Sequence, residues 1–221
     1  MTFVAFETST RRPSVAVSNG ERTVTRTLSG ERVHASDLIP ALDAALGELG
    51  EAPGAIEGVL VGTGPGSYTG LRVGIATARG LARSTGALLR GVPSGEAVAF
   101  ERLEPGERCV YLLDARGGEL CCALYERVAD GVRVEHAPRA LGPDALAAWL
   151  PPHIPIFGEP GVTEAAALSP EQCTRFDGKA PPGAEALLAL GRGLLAALGG
   201  QAAHEVEPLY LRPFAARARR R

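Results

Sequence analysis

The strongest chemical signal in the sequence is a glycine-rich run between an apolar segment and a helical pattern. It comprises Gly62-Thr63-Gly64-Pro65-Gly66-Ser67-Tyr68-Thr69-Gly70-Leu71-Arg72-Val73-Gly74. A glycine-rich turn at the start of a helix often presents backbone N–H groups to an anion. The run lacks the Gly-Lys-Ser/Thr ending of a Walker loop, and Ser67 stands where a dinucleotide fingerprint has its third glycine. It predicts either a phosphate-binding loop or a tight turn that brings strand and helix together, and the tight turn is favoured.

A second polar group, Glu7-Thr8-Ser9-Thr10, follows the first apolar segment of the chain. A carboxylate at the end of a strand, beside hydroxyl groups, can hold a metal-bound water near a phosphate. An acidic residue that caps a hairpin turn would give the same sequence. One carboxylate does not distinguish these two hypotheses.

The helix predicted after the glycine-rich run has an unusually bare face. Gly74 and Gly80 lie inside it, and each costs about 1 kcal/mol relative to alanine. Gly70, Gly74 and Ala78 are spaced by four residues and so share one face. That face permits close approach of another backbone, which is either this chain's own sheet or a partner's helix. The residues alone favour internal packing.

The sequence shows no convincing set of catalytic groups. No Gly-x-Ser-x-Gly elbow exposes a nucleophilic serine, and Ser67 and Ser94 have no identifiable base. No two histidines stand three or four residues apart, so no helix can present two of them to one metal. We therefore predict no catalytic residues and no metal site; the histidines are His34, His136, His153 and His204.

Composition excludes several classes of protein. The 221 residues are 45% hydrophobic and 22% charged, as in ordinary globular proteins, and the net charge of −2 argues against a free-standing nucleic-acid binder. No apolar run approaches eighteen residues, and the first residues lack the features of a signal peptide. The four cysteines show no Cys-x-x-Cys spacing. We expect a cytoplasmic protein with reduced, mostly buried thiols, no membrane association and no structural zinc.

The first hundred residues alternate between predicted strands and helices. Asn19-Gly20 is a strong hairpin turn between two β-branched segments. In the first predicted helix Ser36 is the expected N-cap and Pro40 is expected in the first turn. The predicted strands cover residues 3–6, 14–18, 23–28, 59–61 and 87–91, and the predicted helices cover residues 38–49 and 71–84.

The same order of elements begins again after a boundary at residues 101–106. Val110-Tyr111-Leu112-Leu113 leads into Asp114, much as the first strand leads into Glu7. Further strands are predicted at residues 121–125, 132–134 and 154–157, and helices at residues 143–150, 162–168 and about 183–200. The sequence therefore predicts an α/β protein with two mixed sheets, each packed against helices.

The chain ends in an arginine-rich tail, with four arginines among its last five residues. Such a tail can contact RNA phosphates. A frayed, solvated tail is the favoured interpretation.

The ordered motifs along nearly the whole chain closely resemble the TsaB (YeaZ) family. The Gly-Pro-Gly-Ser-aromatic-Thr-Gly-Leu-Arg run is the most specific of them. The others are Glu7-Thr8-Ser9-Thr10, Ser14-Val15-Ala16-Val17, His34 before Leu38-Ile39-Pro40, Gly80-Leu81-Ala82, Gly91-Val92-Pro93-Ser94, Asp114-Ala115-Arg116-Gly117-Gly118-Glu119 and Pro208-Leu209-Tyr210-Leu211-Arg212.

This resemblance implies the two-lobed actin and sugar-kinase-like (ASKHA) fold, in which each lobe is an RNase H-like mixed sheet with helices. It implies an N-terminal lobe at residues 1–100 that carries the partner interface. A smaller C-terminal lobe with the basic tail would cover residues 101–221, and the helix at about 183–200 would pack back on the first lobe.

The resemblance also implies a function in making N6-threonylcarbamoyladenosine beside the anticodon of tRNAs that read codons beginning with A. The chain would be a non-catalytic partner of the transferase TsaD, together with the ATPase TsaE, and would reach tRNA through that complex. ATP and metal are expected on TsaD and TsaE rather than on this chain, and a homodimer is a further expected state. The alternative is a nucleotide-binding enzyme or an M22 glycoprotease-like peptidase.

Two groups of site residues follow from the resemblance. The expected partner interface comprises Leu38, Leu42, Gly70, Leu71, Gly74 and Ala78, and the expected vestigial nucleotide loop comprises Glu7, Thr8, Ser9, Thr10, Gly64, Gly66 and Ser67. The chain departs from the family in having Glu7 in place of aspartate, Arg79 in place of lysine, and a short C-terminal lobe.

Overall fold

The chain forms two five-stranded mixed sheets that share one topology. The computed structural model describes residues 1–28, 35–159, 161–165, 168–178 and 182–211. The strands of the first sheet are β1 (Thr2–Glu7), β2 (Ser14–Ser18), β3 (Thr23–Thr27), β4 (Ile56–Gly62) and β5 (Leu88–Val92). Their order in the sheet is β3-β2-β1-β4-β5. Strands β1, β4 and β5 are parallel, whereas β2 is antiparallel to both of its neighbours, β1 and β3.

The second sheet repeats this arrangement with the next five strands. Its order is β10-β9-β6-β7-β8, with β6, β7 and β8 antiparallel and β6, β9 and β10 parallel. This identity of order confirms the predicted repeated α/β architecture. The strands are β6 (Arg108–Arg116), β7 (Glu119–Val128), β8 (Gly131–Leu141), β9 (Ile156–Gly158) and β10 (Phe176–Asp177).

Helices cover both faces of the first sheet. Its two long N-terminal helices share a core with one face, and the last helix of the chain shares a core with the other. The backbone N–H of Ala184, at the start of that last helix, donates to Ser14 Oγ on β2 at 3.0 Å. The helices are α1 (Ala35–Leu49), α2 (Tyr68–Thr85), α3 (Ser94–Arg102), α4 (Pro143–Trp149), α5 (Val162–Ala165), α6 (Pro170–Thr174) and α7 (Ala184–Leu198).

Helix α1 begins two residues earlier than an N-cap at Ser36 predicts. The helix begins at Ala35, so Ser36 lies inside it and is not the N-cap. Pro40 is therefore in the second turn, where its missing N–H removes one i→i−4 hydrogen bond. The helix still forms because Leu38, Leu42 and Leu46 bury almost completely against the sheet, at 0%, 3% and 2% exposure.

Helix α3 was not predicted from the sequence. It is short and contains small residues such as Ser94, Gly95 and Ala97, so its apolar periodicity is weak. Gly95 allows α3 to approach the second sheet, because a Cβ there would lie 2.8 Å from the Tyr111 ring and from the Tyr125 hydroxyl. Helix α3 is thus a contact between the two sheets.

The thiols differ sharply in exposure. Burial raises the pKa of Cys109 and of Cys121 to about 12, Cys122 is also buried, and Cys173 is exposed. We expect one thiol of the native protein to react rapidly with Ellman's reagent and the other three only on unfolding, because the thiolate is the reactive form. Rapid reaction of two or more native thiols would contradict this burial.

Candidate functional site

The two polar groups singled out in the sequence meet at one end of the first sheet. β1 and β4 are parallel neighbours, with Phe6 beside Val61, so the segments that follow them emerge side by side. Glu7 is the last residue of β1 and residues 8–10 follow it, and the glycine-rich loop at residues 63–67 follows β4. The fold therefore brings together the residues predicted to form a nucleotide loop.

Direct hydrogen bonds close the glycine-rich loop onto the turn after β1. The backbone N–H of Ser67 donates to the carbonyl oxygen of Ser9 at 2.6 Å. The Thr8 hydroxyl donates to the carbonyl oxygen of Gly70 at 2.8 Å, and Ser67 Oγ accepts from the backbone N–H of Gly70 at 3.2 Å, which caps α2. A Cβ on Gly66 would overlap the backbone of Ser9, so glycine is required for this contact.

Ser94 fixes the other side of the same loop. Its hydroxyl accepts from the backbone N–H of Gly64 at 3.2 Å, and its own backbone N–H donates to the Gly64 carbonyl at 3.0 Å. Gly64 has a φ of +89°, which glycine adopts without strain. In the sequence Ser94 is a serine without an identifiable base and part of the Gly91-Val92-Pro93-Ser94 motif, and its pairing with a loop 30 residues away has no local signal.

The loop therefore uses its anion-binding groups internally. The backbone N–H groups of Gly64, Ser67 and Gly70 all donate to oxygens of this chain. An anion at the start of a helix needs such groups to be free. The occupation of these three donors fits the tight turn favoured by the residues.

Glu7 is sealed beneath the closed loop. Its side chain is 0% exposed, and Oε1 accepts from the backbone N–H of Ser9 at 2.7 Å. Burial raises the pKa of this carboxyl, although the nearby Ser9 and Ser94 hydroxyls act in the opposite direction. Within the described part of the chain, no group reaches Oε2 with hydrogen-bond geometry. Gly62 makes room for the carboxyl, because a Cβ there would overlap it.

The bare glycine face of α2 contacts this chain rather than solvent. A Cβ on Gly70 would overlap the Thr8 carbonyl oxygen, and a Cβ on Gly74 would overlap the Thr8 hydroxyl oxygen. Leu71 and Ala78 are 0% exposed. The absence of side chains thus lets α2 pack directly on the end of β1.

The expected partner interface needs correction for this reason. Its six residues are all buried within the chain and have no surface to offer a partner; they are Leu38, Leu42, Gly70, Leu71, Gly74 and Ala78. The residues that α1 and α2 expose are not these six but other positions on the same helices. Ile39, for example, follows buried Leu38 and is 45% exposed.

The C-terminal segment at residues 201–211, here called the C-terminal strap, packs along the first sheet. The backbone N–H of Gln201 donates to the Leu89 carbonyl on β5 at 2.7 Å, and that of Leu209 donates to the Thr63 carbonyl at 2.8 Å. Val206 is 1% exposed. The strap therefore covers the outer edge of β5 and holds the start of the glycine-rich loop. No local signal in the sequence indicated this docking.

Potential metal ligands are dispersed. In the part of the chain that the structure describes, no group of three or more histidine, cysteine, aspartate or glutamate residues could hold a metal ion. His136 instead packs edge-on against Trp149, with ring centroids 5.8 Å apart. His34 and the arginine-rich tail lie outside the described residues.

Among the described residues, no helix is long and apolar enough to cross a membrane.

Comparisons with known proteins point to one family. The family model described as "TsaD: tRNA N6-adenosine threonylcarbamoyltransferase" matches residues 28–152, more than half of the chain. The tRNA threonylcarbamoyladenosine biosynthesis protein TsaB of Haemophilus influenzae is 35% identical over 125 residues, which cover 54% of this chain and 52% of that protein. An uncharacterized protein of Mycobacterium tuberculosis is 33% identical over 152 residues, covering 69% of this chain and 66% of that one. The chain thus spans about half to two thirds of these relatives.

The similarity in structure extends over nearly the whole chain. YeaZ from Pseudomonas aeruginosa superimposes with a TM-score of 0.81 at 29% identity, covering 95% of this chain and 99% of that one. A second structure from the same organism, described as having similarity to peptidase YEAZ, gives the same TM-score. The two repeated mixed sheets and these matches together show that the chain belongs to the TsaB (YeaZ) family, in the actin-like two-lobed fold.

Proposed function

We propose that this chain acts in the biosynthesis of N6-threonylcarbamoyladenosine in tRNA, as a non-catalytic partner of a TsaD-type transferase. The proposal includes the position beside the anticodon of tRNAs that read codons beginning with A. The relatives named TsaB and the match to the TsaD-type family model support the pathway. TsaE, ATP and metal belong to the other components in this proposal.

The closed glycine-rich loop is the observation that carries the non-catalytic role. Three of its N–H groups are held by oxygens of Ser9, Ser67 and Ser94, and Glu7 is fully buried beneath it. An active nucleotide site needs those donors and that carboxylate to face the ligand. In this proposal the lobe keeps the fold of a nucleotide-binding lobe, but the loop donors bind oxygens of the chain itself.

The partner surface in this proposal lies between the outer sides of α1 and α2. On α1, Glu48 pairs with Arg26 on β3, so this side of the helix faces β3. Ile39 lies nine residues before Glu48, which is two and a half helical turns, so it lies on the opposite side of α1, toward α2. On α2, Val73 and Thr77 are partly exposed. We call these three residues, Ile39, Val73 and Thr77, the helix-pair surface. A TsaD-type chain is the proposed occupant, and a second copy of this chain is the alternative.

Reconstitution tests the proposal. The components are the synthase, TsaD, TsaE, ATP, threonine, bicarbonate and unmodified tRNA, with and without this chain. We expect modification to fall at least about 10-fold without it, because the transferase would lack its partner, and we expect no modification by this chain alone. Equal modification without the chain would refute the proposed role.

One substitution and a matched control locate the surface by gel filtration with TsaD. Ile39→Arg should abolish co-elution with TsaD on gel filtration, because a buried apolar contact cannot accommodate a charge. Val134→Arg is the matched control, since Val134 is similarly exposed, at 41%, on the second sheet. Co-elution of the Ile39→Arg chain would place the partner elsewhere, and light scattering of both variants reports on self-association.

The unpaired Oε2 of Glu7 is the observation that favours a second candidate, a nucleotide-binding enzyme or peptidase. Opening of the loop would expose this carboxylate to a magnesium-bound nucleotide. Calorimetry with ATP and magnesium separates the candidates: tight binding that is lost in Glu7→Ala would support the enzyme, and no binding supports the partner role.

A further inference from the structure

One side of α2 carries three arginines and no carboxylate. Arg72, Arg79 and Arg83 are spaced by seven and four residues, which places them on the same side of a helix. We call these three residues the arginine edge. Helix α2 contains no acidic residue, and among the described residues none of the three arginines forms an ion pair with a carboxylate.

The arginine edge faces away from α1. Arg79 hydrogen-bonds the C-terminal strap, its Nη2 donating to the Val206 carbonyl at 2.8 Å. Thr77 and Leu81 lie on the other side of the helix, and Leu81 packs against the core that α1 and α2 share. The arginine edge and the helix-pair surface therefore share no residue, and Thr77 lies on the opposite side of α2 from Arg79.

Two of the three guanidinium groups are held in place by contacts within the chain. Arg72 lies over the Tyr68 ring, 4.5 Å from its centroid, and its Nε donates to the Tyr210 hydroxyl at 3.0 Å. Arg79 is held by the strap. Each guanidinium has five N–H donors, so these contacts orient the groups and leave most donors for a ligand. Such fixed guanidinium groups suit phosphate oxygens.

A groove of about 640 Å³ runs beside the arginine edge. Arg79 and Arg83 line one side, and Leu89, Gln201 and Ala203 line the other, between β5 and the strap. This volume is in the range of ligand-binding clefts. The groove is open to solvent and is not an enclosed cavity, so it can admit part of a larger molecule.

An aromatic pair lies at one end of the arginine edge. The Tyr68 and Tyr210 rings stack with centroids 5.0 Å apart, and Tyr210 remains 39% exposed. Arginines beside exposed aromatic rings form the usual surface for single-stranded nucleic acid, in which phosphates meet the cations and bases stack on the rings.

The distribution of arginines along the chain also favours contact with phosphates. The whole chain has a net charge of −2, yet the sequence that follows Leu211 contains five arginines, at 212, 217, 219, 220 and 221, and no acid. Helix α2 and the sequence after Leu211 are thus both basic and free of acidic residues, although the chain as a whole has a net negative charge. Local charge governs contact with phosphates.

We propose that the arginine edge binds the phosphate backbone of single-stranded or loop RNA, with a base stacked on Tyr210. This inference deepens the proposed function by giving the chain its own contact with RNA. It requires neither a TsaD-type partner nor transfer activity, so the two proposals can fail separately.

Fluorescence anisotropy tests the proposal with the full chain and two labelled probes, a uridine 12-mer and unmodified tRNA, at several NaCl concentrations. Arg83→Gln is the cleanest variant, because this exposed side chain makes no hydrogen bond or ion pair with the described residues. We expect it to flatten the slope of log K against log[NaCl] by about 0.7, the value for one phosphate contact on a single strand. The triple variant of the arginine edge should flatten the slope by about 2 and weaken binding more than about 10-fold.

Matched controls make the result specific. Arg22→Gln removes one exposed arginine from the turn between β2 and β3 and should leave the slope unchanged. Tyr210→Ala should weaken binding of the 12-mer at least about 5-fold, and Tyr210→Phe should retain most of the affinity because the stacking ring remains.

Three outcomes would overturn the proposal. The first is an unchanged slope in the triple variant, and the second is an equal effect of Arg22→Gln. The third is displacement of RNA by poly-glutamate at equal charge, which would indicate an acidic protein as the occupant. Loss of RNA binding with normal modification in the reconstituted system would leave the proposed function intact.

Discussion

Gly74→Leu is expected to destabilise the folded chain by about 3 kcal/mol or more, measured by urea unfolding. A Cβ at this position overlaps Thr8 Oγ1, which donates to the Gly70 carbonyl. The substitution therefore overpacks a closed contact and leaves the buried Thr8 hydroxyl without its acceptor. Both costs act on folding before any partner is present.

Gly80→Leu is the matched control for this prediction. Gly80 lies in the same helix, is exposed, and a Cβ there would meet nothing within 4 Å. Removal of an exposed helical glycine should leave stability unchanged or raise it by up to about 1 kcal/mol. A Gly74→Leu chain that keeps wild-type stability yet no longer binds TsaD would contradict the internal packing and restore the glycine face as an interface.

Folding stability is expected to fall as pH rises above the ordinary glutamate pKa of 4.5, and Glu7→Gln should reduce that fall. Burial raises the pKa of Glu7 in the folded state above its ordinary value of 4.5. The folded chain then binds more protons than the unfolded chain between these two values, so stability is greatest below the unfolded pKa and is lost as pH rises through the folded one. Glutamine is never ionised, and its amide oxygen can still accept from the Ser9 N–H.

Glu96→Gln is a second test variant, for which the pH range of the effect is defined. Burial raises the pKa of Glu96 from 4.5 to about 7, which corresponds to on the order of 3 kcal/mol lost as pH rises through that interval. The pKa values of Glu101 and Glu159 are also raised by burial and contribute in the same direction. Urea unfolding at half-unit pH steps should show a flatter profile for each glutamine variant than for the wild type. A Glu7→Gln profile parallel to the wild type would mean that Glu7 ionises freely and is not sealed by the loop.

The sequence alone determined the order and type of most elements. The hairpin at Asn19-Gly20, the helical spacing from Leu38 to Leu46 and the apolar run before Gly62 are local signals, and each formed the expected element. Local signals also revealed the repeat between the halves, because turn residues and apolar periodicity recur in one order. They failed where residues were small or helices short, as at α3, and at the first turn of α1.

Tertiary structure alone decided what the site residues do. A bare helical face can pack against this chain's own backbone or against a partner's backbone equally well. The structure shows that it packs internally, because Thr8 contacts Gly70 from 62 positions away in the sequence. The burial of Glu7 depends in the same way on Gly62 and Ser94, which lie on other elements. Arg72 meets Tyr210 across 138 positions. Hydrogen bonds between distant segments leave no periodicity in the sequence, so only the packed chain shows that the loop is closed and that Arg72 and Arg79 are held in place.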